Sequence, residues 1–214
     1  MNILQLSHLC PEIFHNRTDH QSEIWKQDVV LEKGKIYLVE AMSGTGKSSL
    51  CSYLSGYRND YSGQLRFDNE DTRHFTVAQW SEIRRMHISH LFQDLRLFPE
   101  LTAYENIEIK NKLTHHKSAK QIDEWLDFLG IIDKRDTLVG RMSFGQQQRV
   151  AMIRALVQPF DFLLADEPVS HLDEHHAQLM GQLMTEEVKA QQAGAIVTSI
   201  GKQMPAHYDK ILKL

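Results

Sequence analysis

The chain has 214 residues, 42% of them hydrophobic and 24% charged, a globular composition that argues against disorder and suffices for one domain or two small lobes. With 24 Lys and Arg against 28 Asp and Glu, the formal net charge of -4 gives nucleic acid or anionic lipid no general electrostatic attraction. The 2 cysteines are too few for a disulfide framework, and no apolar run approaches the ~18 residues of a membrane-spanning helix.

Met1-Asn2-Ile3-Leu4-Gln5 has neither the basic start nor the apolar core of a secretory signal, so a cytoplasmic start is expected. Short apolar, β-branched runs bounded by turn residues predict strands at Ile3 to Leu6, Ile36 to Val39 and Ile88 to Phe92. Residues of roughly 95 to 158 carry helical periods without a clear strand, which predicts a helical lobe inserted in a sheet domain. Within it Ser118 can cap a helix with Ile122, Trp125, Leu126 and Leu129 on one face, and Gly130 can end it. Further strands are expected at Phe160 to Ala165, Ala195 to Thr198 and Ile211 to Leu214, with an amphipathic helical stretch over 174 to 192. Strands alternating with helices predict an α/β layered sheet, parallel at its centre.

The run Ile36-Tyr37-Leu38-Val39 leads into Glu40-Ala41-Met42-Ser43-Gly44-Thr45-Gly46-Lys47-Ser48-Ser49, then into a helical segment with Leu50, Cys51 and Leu54. Strand, glycine loop and helix in that order form the context of a P-loop. Gly44 and Gly46 let backbone N–H groups close around phosphate oxygens without an intervening Cβ, and the helix start adds unpaired N–H groups. Lys47 would reach the β- and γ-phosphates and Ser48 would bind Mg²⁺. Ala41 stands where the pattern has its first glycine, which is tolerable if that position does not need a positive φ. Glu40 brings a carboxylate near the phosphates, repulsive unless it is paired or turned away. Cys51, on the apolar face of the helix, is expected to be buried packing. A glycine turn without a ligand is the plainer alternative.

Farther on, Phe160-Asp161-Phe162-Leu163-Leu164-Ala165-Asp166-Glu167-Pro168 ends an apolar strand in two adjacent acids, a costly arrangement unless a cation or water network uses them. Met142-Ser143-Phe144-Gly145-Gln146-Gln147-Gln148-Arg149-Val150 starts a helix at Ser143, with Gln146 in capping-box position. Leu91-Phe92-Gln93-Asp94 lies between the glycine loop and that helix, and Ser170-His171-Leu172-Asp173 follows the paired acids.

In this order the segments resemble, over nearly the whole chain, the nucleotide-binding subunits of ABC transporters: Walker A, Q-loop, signature, Walker B and D-loop. The resemblance implies a P-loop NTPase of the ABC type. Its mostly parallel sheet core would be accompanied by an antiparallel β part, from about 1–93 and 159–214, with a helical lobe at about 94–158. It implies ATP and Mg²⁺ as ligands. Ser43, Gly44, Thr45, Gly46, Lys47, Ser48 and Ser49 would hold the phosphates, and Ser48, Gln93 and Asp166 the metal. Glu167 would be the catalytic carboxylate. Ser143, Gly145, Gln146 and Asp173 would face nucleotide held by a second copy or a related subunit, paired head to tail.

Besides Ala41, three positions depart from the family pattern: Phe144 replaces a signature glycine, His171 an alanine, and Ser199 the switch histidine after Ala195-Ile196-Val197-Thr198. Ser199 cannot carry positive charge, and a lost transition-state donor costs about 2.7–4 kcal/mol, so slow hydrolysis is expected. Phe14 either stacks on adenine or belongs to the core. The pairs His115-His116 and His175-His176 are expected in solvent. Leu95 to Ile107 resembles the lipoprotein-release, macrolide-export and cell-division branch, whose ATPase drives a separate integral-membrane permease. The expected place is therefore the cytoplasmic face of the inner membrane, with no nucleic-acid partner. A regulatory module that closes on ATP with little turnover, and a soluble ABC ATPase without a permease, remain open alternatives; Glu167 speaks against the first and the shortness of the chain against the second.

Overall fold

The computed structural model describes residues 1–16 and 22–214. In chain order come β1 (Ile3–Pro11), β2 (Asp28–Glu32), β3 (Ile36–Glu40), α1 (Lys47–Leu54), β4 (Tyr61–Phe67), β5 (Glu70–Asp71) and α2 (Val77–Met86). They are followed by β6 (Ile88–Leu91), α3 (Ala103–Asn111), α4 (Ala119–Phe128), α5 (Phe144–Leu156), β7 (Phe162–Asp166), α6 (Glu174–Ala190), β8 (Gly194–Ser199) and β9 (Lys210–Lys213).

The strands form two sheets. One is a 5-stranded sheet in the order β6-β7-β8-β3-β9, parallel throughout. The other is a 4-stranded antiparallel sheet in the order β2-β1-β4-β5. Period-2 alternation in β3 places Ile36 and Leu38 in the core shared with α3 to α6, and Tyr37 and Val39 in the core shared with α1 and the antiparallel sheet. β7 and β8 are buried at every residue, as expected of central parallel strands covered on both faces.

The helix predicted at Ser118 is present: Ser118 and Gln121 form a reciprocal capping box, and Ile122 and Leu126 are buried. Gly130, at φ 65, ends it, with its amide on the Asp127 carbonyl and the Ile131 amide on Leu126. Three strands and one helix lie outside the sequence expectation: β2, β4, β5 and α2. β4 alternates buried and exposed positions, and its pairing to β1 shifts register between Ser7 and Cys10. There Gly63, at φ 81, passes so close to the His8 carbonyl that a Cβ would collide with it. α2 packs only the half-buried Trp80 and Ile83 against the core, so its apolar face is narrow; its capping box, Thr76 with Gln79, was its readable sign. Among the described residues no helix is long and apolar enough to cross a membrane.

Candidate functional site

β3 delivers the chain to the glycine loop at its C-terminal end, beside the ends of β8 and β7. The Ala41 amide donates to the Ser199 carbonyl at 3.0 Å, and Ala41 is not among the left-handed residues, so the missing glycine is tolerated. Gly46, at φ 96, caps α1 and leaves no room for a side chain: a Cβ would lie 2.7 Å from the Phe14 ring and 3.1 Å from Trp25. Trp25 also donates its indole N–H to the Thr45 carbonyl at 2.8 Å, and the Thr45 hydroxyl donates to the Met42 carbonyl. No side chain caps α1, so its first N–H groups stay open to an anion. Glu40 is paired: its carboxylate accepts from the Gln203 amide at 2.7 Å. Cys51 is buried, and its thiol is pushed well up by burial.

A cleft of about 410 Å³ opens over this loop. Its floor is Ser43, Gly44, Gly46, Lys47, Ser48 and Ser49, and Gln93 and Glu167 line it from the neighbouring strand ends. Lys47 is buried, and its ammonium binds Asp166 Oδ1 at 3.1 Å, Glu167 Oε1, and Gln93 Oε1 at 3.4 Å. A phosphate oxygen entering the cleft therefore competes with two carboxylates for one cation. Glu167 has φ 49, a left-handed backbone that costs a non-glycine residue roughly 1–3 kcal/mol. Its amide is held by the Thr198 carbonyl at 3.2 Å, while the Thr198 hydroxyl donates to Asp166 Oδ1 at 2.6 Å.

A second cleft shares Ser48 and Gln93 with the first and adds Asp166, Cys51, Ser52, His90, Phe92, Asp94 and Arg96. Ser48 hydroxyl, Gln93 amide oxygen and Asp166 carboxylate are hard oxygen donors grouped at one cleft, a set that suits Mg²⁺. Burial holds His90 neutral, with a pKa near 3, and its Nδ1 pairs with the Ser55 hydroxyl at 3.0 Å.

The other predicted residues lie elsewhere. Ser143 and Gln146 form a capping box at the start of α5. Gly145 packs against the 170–173 turn, where a Cβ would stand 3.1 Å from the Leu172 side chain. Asp173 caps α6 through the His176 amide at 2.9 Å and pairs with the His176 ring at 2.7 Å, so His176 is partnered rather than simply solvated. None of these lines the cleft on this chain.

Phe14 is buried, props Gly46 and lines the edge of the cleft, with the exposed Ile13 side chain next to it. The Ser199 hydroxyl is turned away from the phosphate floor: it is buried and donates to the Lys202 carbonyl at 2.7 Å. Ile13, Met42, Arg58 and Ile200 also line the cleft, and the sequence reading had not singled them out. Ile13, beside Phe14, and Met42, inside the loop, were findable by position; Arg58 carries no sequence signal. Arg58 is fixed by Asp60 and donates to the Ser49 hydroxyl at 3.0 Å.

The sequence profile of the ABC transporter family matches residues 26–170. The chain belongs to that family. It is 31% identical over 190 residues to the macrolide export ATP-binding/permease protein MacB of Shewanella sp. (strain ANA-3), covering 86% of this chain. The chain spans 28% of that relative's length. It is also 31% identical over 189 residues to the lipoprotein-releasing system ATP-binding protein LolD 2 of Rhodopseudomonas palustris (strain ATCC BAA-98 / CGA009), covering 87% of this chain and 82% of that one. The fold matches the ATP-binding cassette MJ0796 in a dimeric post-hydrolysis structure bound to ADP and Pi. That match has a TM-score of 0.77 and 24% identity, over 92% of this chain and 87% of the other. The antiparallel and parallel sheets beside a group of helices are thus the architecture of an ABC cassette.

Proposed function

We propose that the chain is the ATP-binding and hydrolysing subunit of a transporter, working in a pair and driving a separate membrane permease from the cytoplasmic face. The observation that carries this reading is the convergence of Asp166, Glu167 and Gln93 on the Lys47 ammonium at the glycine loop. Phosphates in the loop would take hydrogen bonds from the N–H groups around Gly44 and Gly46 and from the Lys47 ammonium, which would release its carboxylates. Ser48, Asp166 and Gln93 would hold Mg²⁺, which when bound supplies charge neutralisation on the phosphate oxygens.

Glu167, freed from Lys47, would accept a proton from the attacking water, whose oxygen bonds the γ-phosphorus as the bond to the ADP oxygen breaks. The exposed start of α5, with Ser143, Gly145 and Gln146, is suited to donate to phosphate on a second copy. Because the Ser199 hydroxyl is spent on its own loop, turnover would be slow. For the permease, the exposed Tyr57, Phe98 and Ile109 support docking next to the Gln93 loop, where Arg84 and Arg96 flank the Tyr57 ring at 5.2 and 5.7 Å.

Titration of Mg²⁺-ATP by calorimetry tests the reading. Lys47→Met, checked for fold by circular dichroism, should weaken binding at least about tenfold through loss of a charge-assisted bond. Equal affinity in the two proteins would refute the site.

A further inference from the structure

The positions at which this chain departs from the family pattern are joined to one another. β8 ends in Ser199, whose hydroxyl closes a turn onto the Lys202 carbonyl at 2.7 Å, through Gly201 at φ 83. That turn sends the Lys202 ammonium to the carbonyl of Leu172, in the 170–173 segment. Next to Leu172, the His171 ring meets the Phe144 ring edge-on, with centroids 4.5 Å apart and planes at 65°. Phe144 opens α5, and the adjacent Gly145 lies flat against His171 and Leu172. From α5 the Gln148 amide reaches the Ser170 hydroxyl at 3.3 Å and the Glu167 carbonyl at 3.3 Å.

The same short loop is bound to the nucleotide side. The Ser199 carbonyl accepts from the Ala41 amide at 3.0 Å, and Gln203 donates to Glu40 at 2.7 Å, so residues 199–203 hold the end of β3 where the glycine loop begins. Thr198, one residue earlier, holds both Asp166 and the Glu167 amide. One face of the 199–203 loop thus grips the phosphate-binding strand, and the other grips the 170–173 segment that packs against the start of α5.

We propose that Lys202 is a positioning residue for hydrolysis: its bond to the Leu172 carbonyl locks the 170–173 segment, and through His171 and Phe144 the start of α5, to the phosphate-binding strand. A charged donor suits this task because its bond to a carbonyl is stronger than a neutral one and survives partial exposure. Ser199, being neutral, leaves this cation to act from the loop rather than from the strand end. Phosphate that displaces Glu167 from Lys47 would shift Thr198 and the loop behind it, and Lys202 passes that shift to the surface offered to the second copy. The catalytic consequence rests on the ATPase reading; the lock itself does not.

Hydrogen–deuterium exchange of the full chain, with and without Mg²⁺-ATP, reads the lock directly. Lys202→Met should raise exchange in the peptide spanning 168–175 about tenfold, the loss of one charge-assisted bond, while Lys202→Arg restores protection. His171→Ala should loosen the start of α5 and leave the Leu172 carbonyl bond in place. In phosphate-release assays Lys202→Met should lower kcat several-fold with KM for ATP unchanged, and Lys202→Arg should recover it. Unchanged exchange in Lys202→Met overturns the proposal. A rise in KM that accounts for the whole loss in kcat/KM also overturns it, because Lys202 would then be a phosphate ligand. If the parent protein fails to bind Mg²⁺-ATP, the ATPase reading falls, and the exchange result still decides the lock.

Discussion

β7 has carboxylates at both of its ends, and their surroundings are opposite. Just before the strand, Asp161 accepts from the Met1 amine at 2.8 Å, from Lys33, and from the His87 ring at 2.6 Å. Burial alone would raise its pKa; the bonds from Lys33, the amine and His87 outweigh burial and hold the carboxyl below its ordinary value. At the other end Asp166 and Glu167 share the single ammonium of Lys47, Glu167 lining the cleft over the glycine loop and Asp166 the second cleft beside it. Both ends have buried acids paired with cations. The Asp161 end has more donors than acids, and the Asp166 end has more acids than cations beside open space. A buried acid by itself is therefore no sign of chemistry; an acid excess at a cleft rich in N–H donors is.

Exchanging each carboxylate for its amide separates the two ends. Glu167→Gln should cut phosphate release by about 10²–10⁴-fold, the range for a general base, with no fall in melting temperature, because it relieves an acid excess. A wild-type rate in that variant would place the base elsewhere. Asp161→Asn should do the reverse: unfolding in urea should show a loss of about 1–3 kcal/mol, the weakening of charge-assisted bonds to partly exposed donors, with unchanged affinity for ATP. A change in affinity without a change in stability would merge the two ends into one system.

Acid titration sharpens the contrast. Asp161 has a depressed folded pKa, so the stability it gives is present above its ordinary value of 3.8 and is lost as pH falls through the lower folded value. His90, beside the second cleft, is held neutral down to about 3 against an ordinary 6.5. Between those values the unfolded chain takes up a proton that the folded chain refuses, so stability falls as pH drops from 6.5 towards 3. His90→Phe should flatten this limb by up to about 1.4 kcal/mol per pH unit in urea unfolding followed by circular dichroism. An unaltered limb would show that His90 is not the group responsible. The smallest effect is expected at Ser143→Ala, about 1 kcal/mol of stability for a lost helix cap. A value near zero would mean that Gln146 and the backbone hold the start of α5 without it.

The strands with a continuous apolar run were legible in the sequence, because β7 and β8 are covered on both faces and leave no polar positions to blur the pattern. Their ends were less so: Phe160 and Asp161 precede β7, and β1 runs on to Pro11, past the expected Leu6. β4 was missed because Ser62, Gly63 and Gln64 interrupt its apolar alternation, and α2 because it packs only the half-buried Trp80 and Ile83. At the site, the glycine loop and paired acids were legible because backbone geometry and charge demand particular residue types there. Asp173 as a cap, Ser199 turned into its own loop and Lys202 reaching Leu172 were not. Those depend on where a side chain is sent by a turn, which spacing along the chain does not encode.

The most direct test of the account is Mg²⁺-ATP phosphate release measured against protein concentration. A site completed by the start of α5 from a second copy predicts turnover per chain that rises with concentration and disappears in Glu167→Gln. Turnover per chain that stays constant on dilution, or that survives in Glu167→Gln, would contradict it.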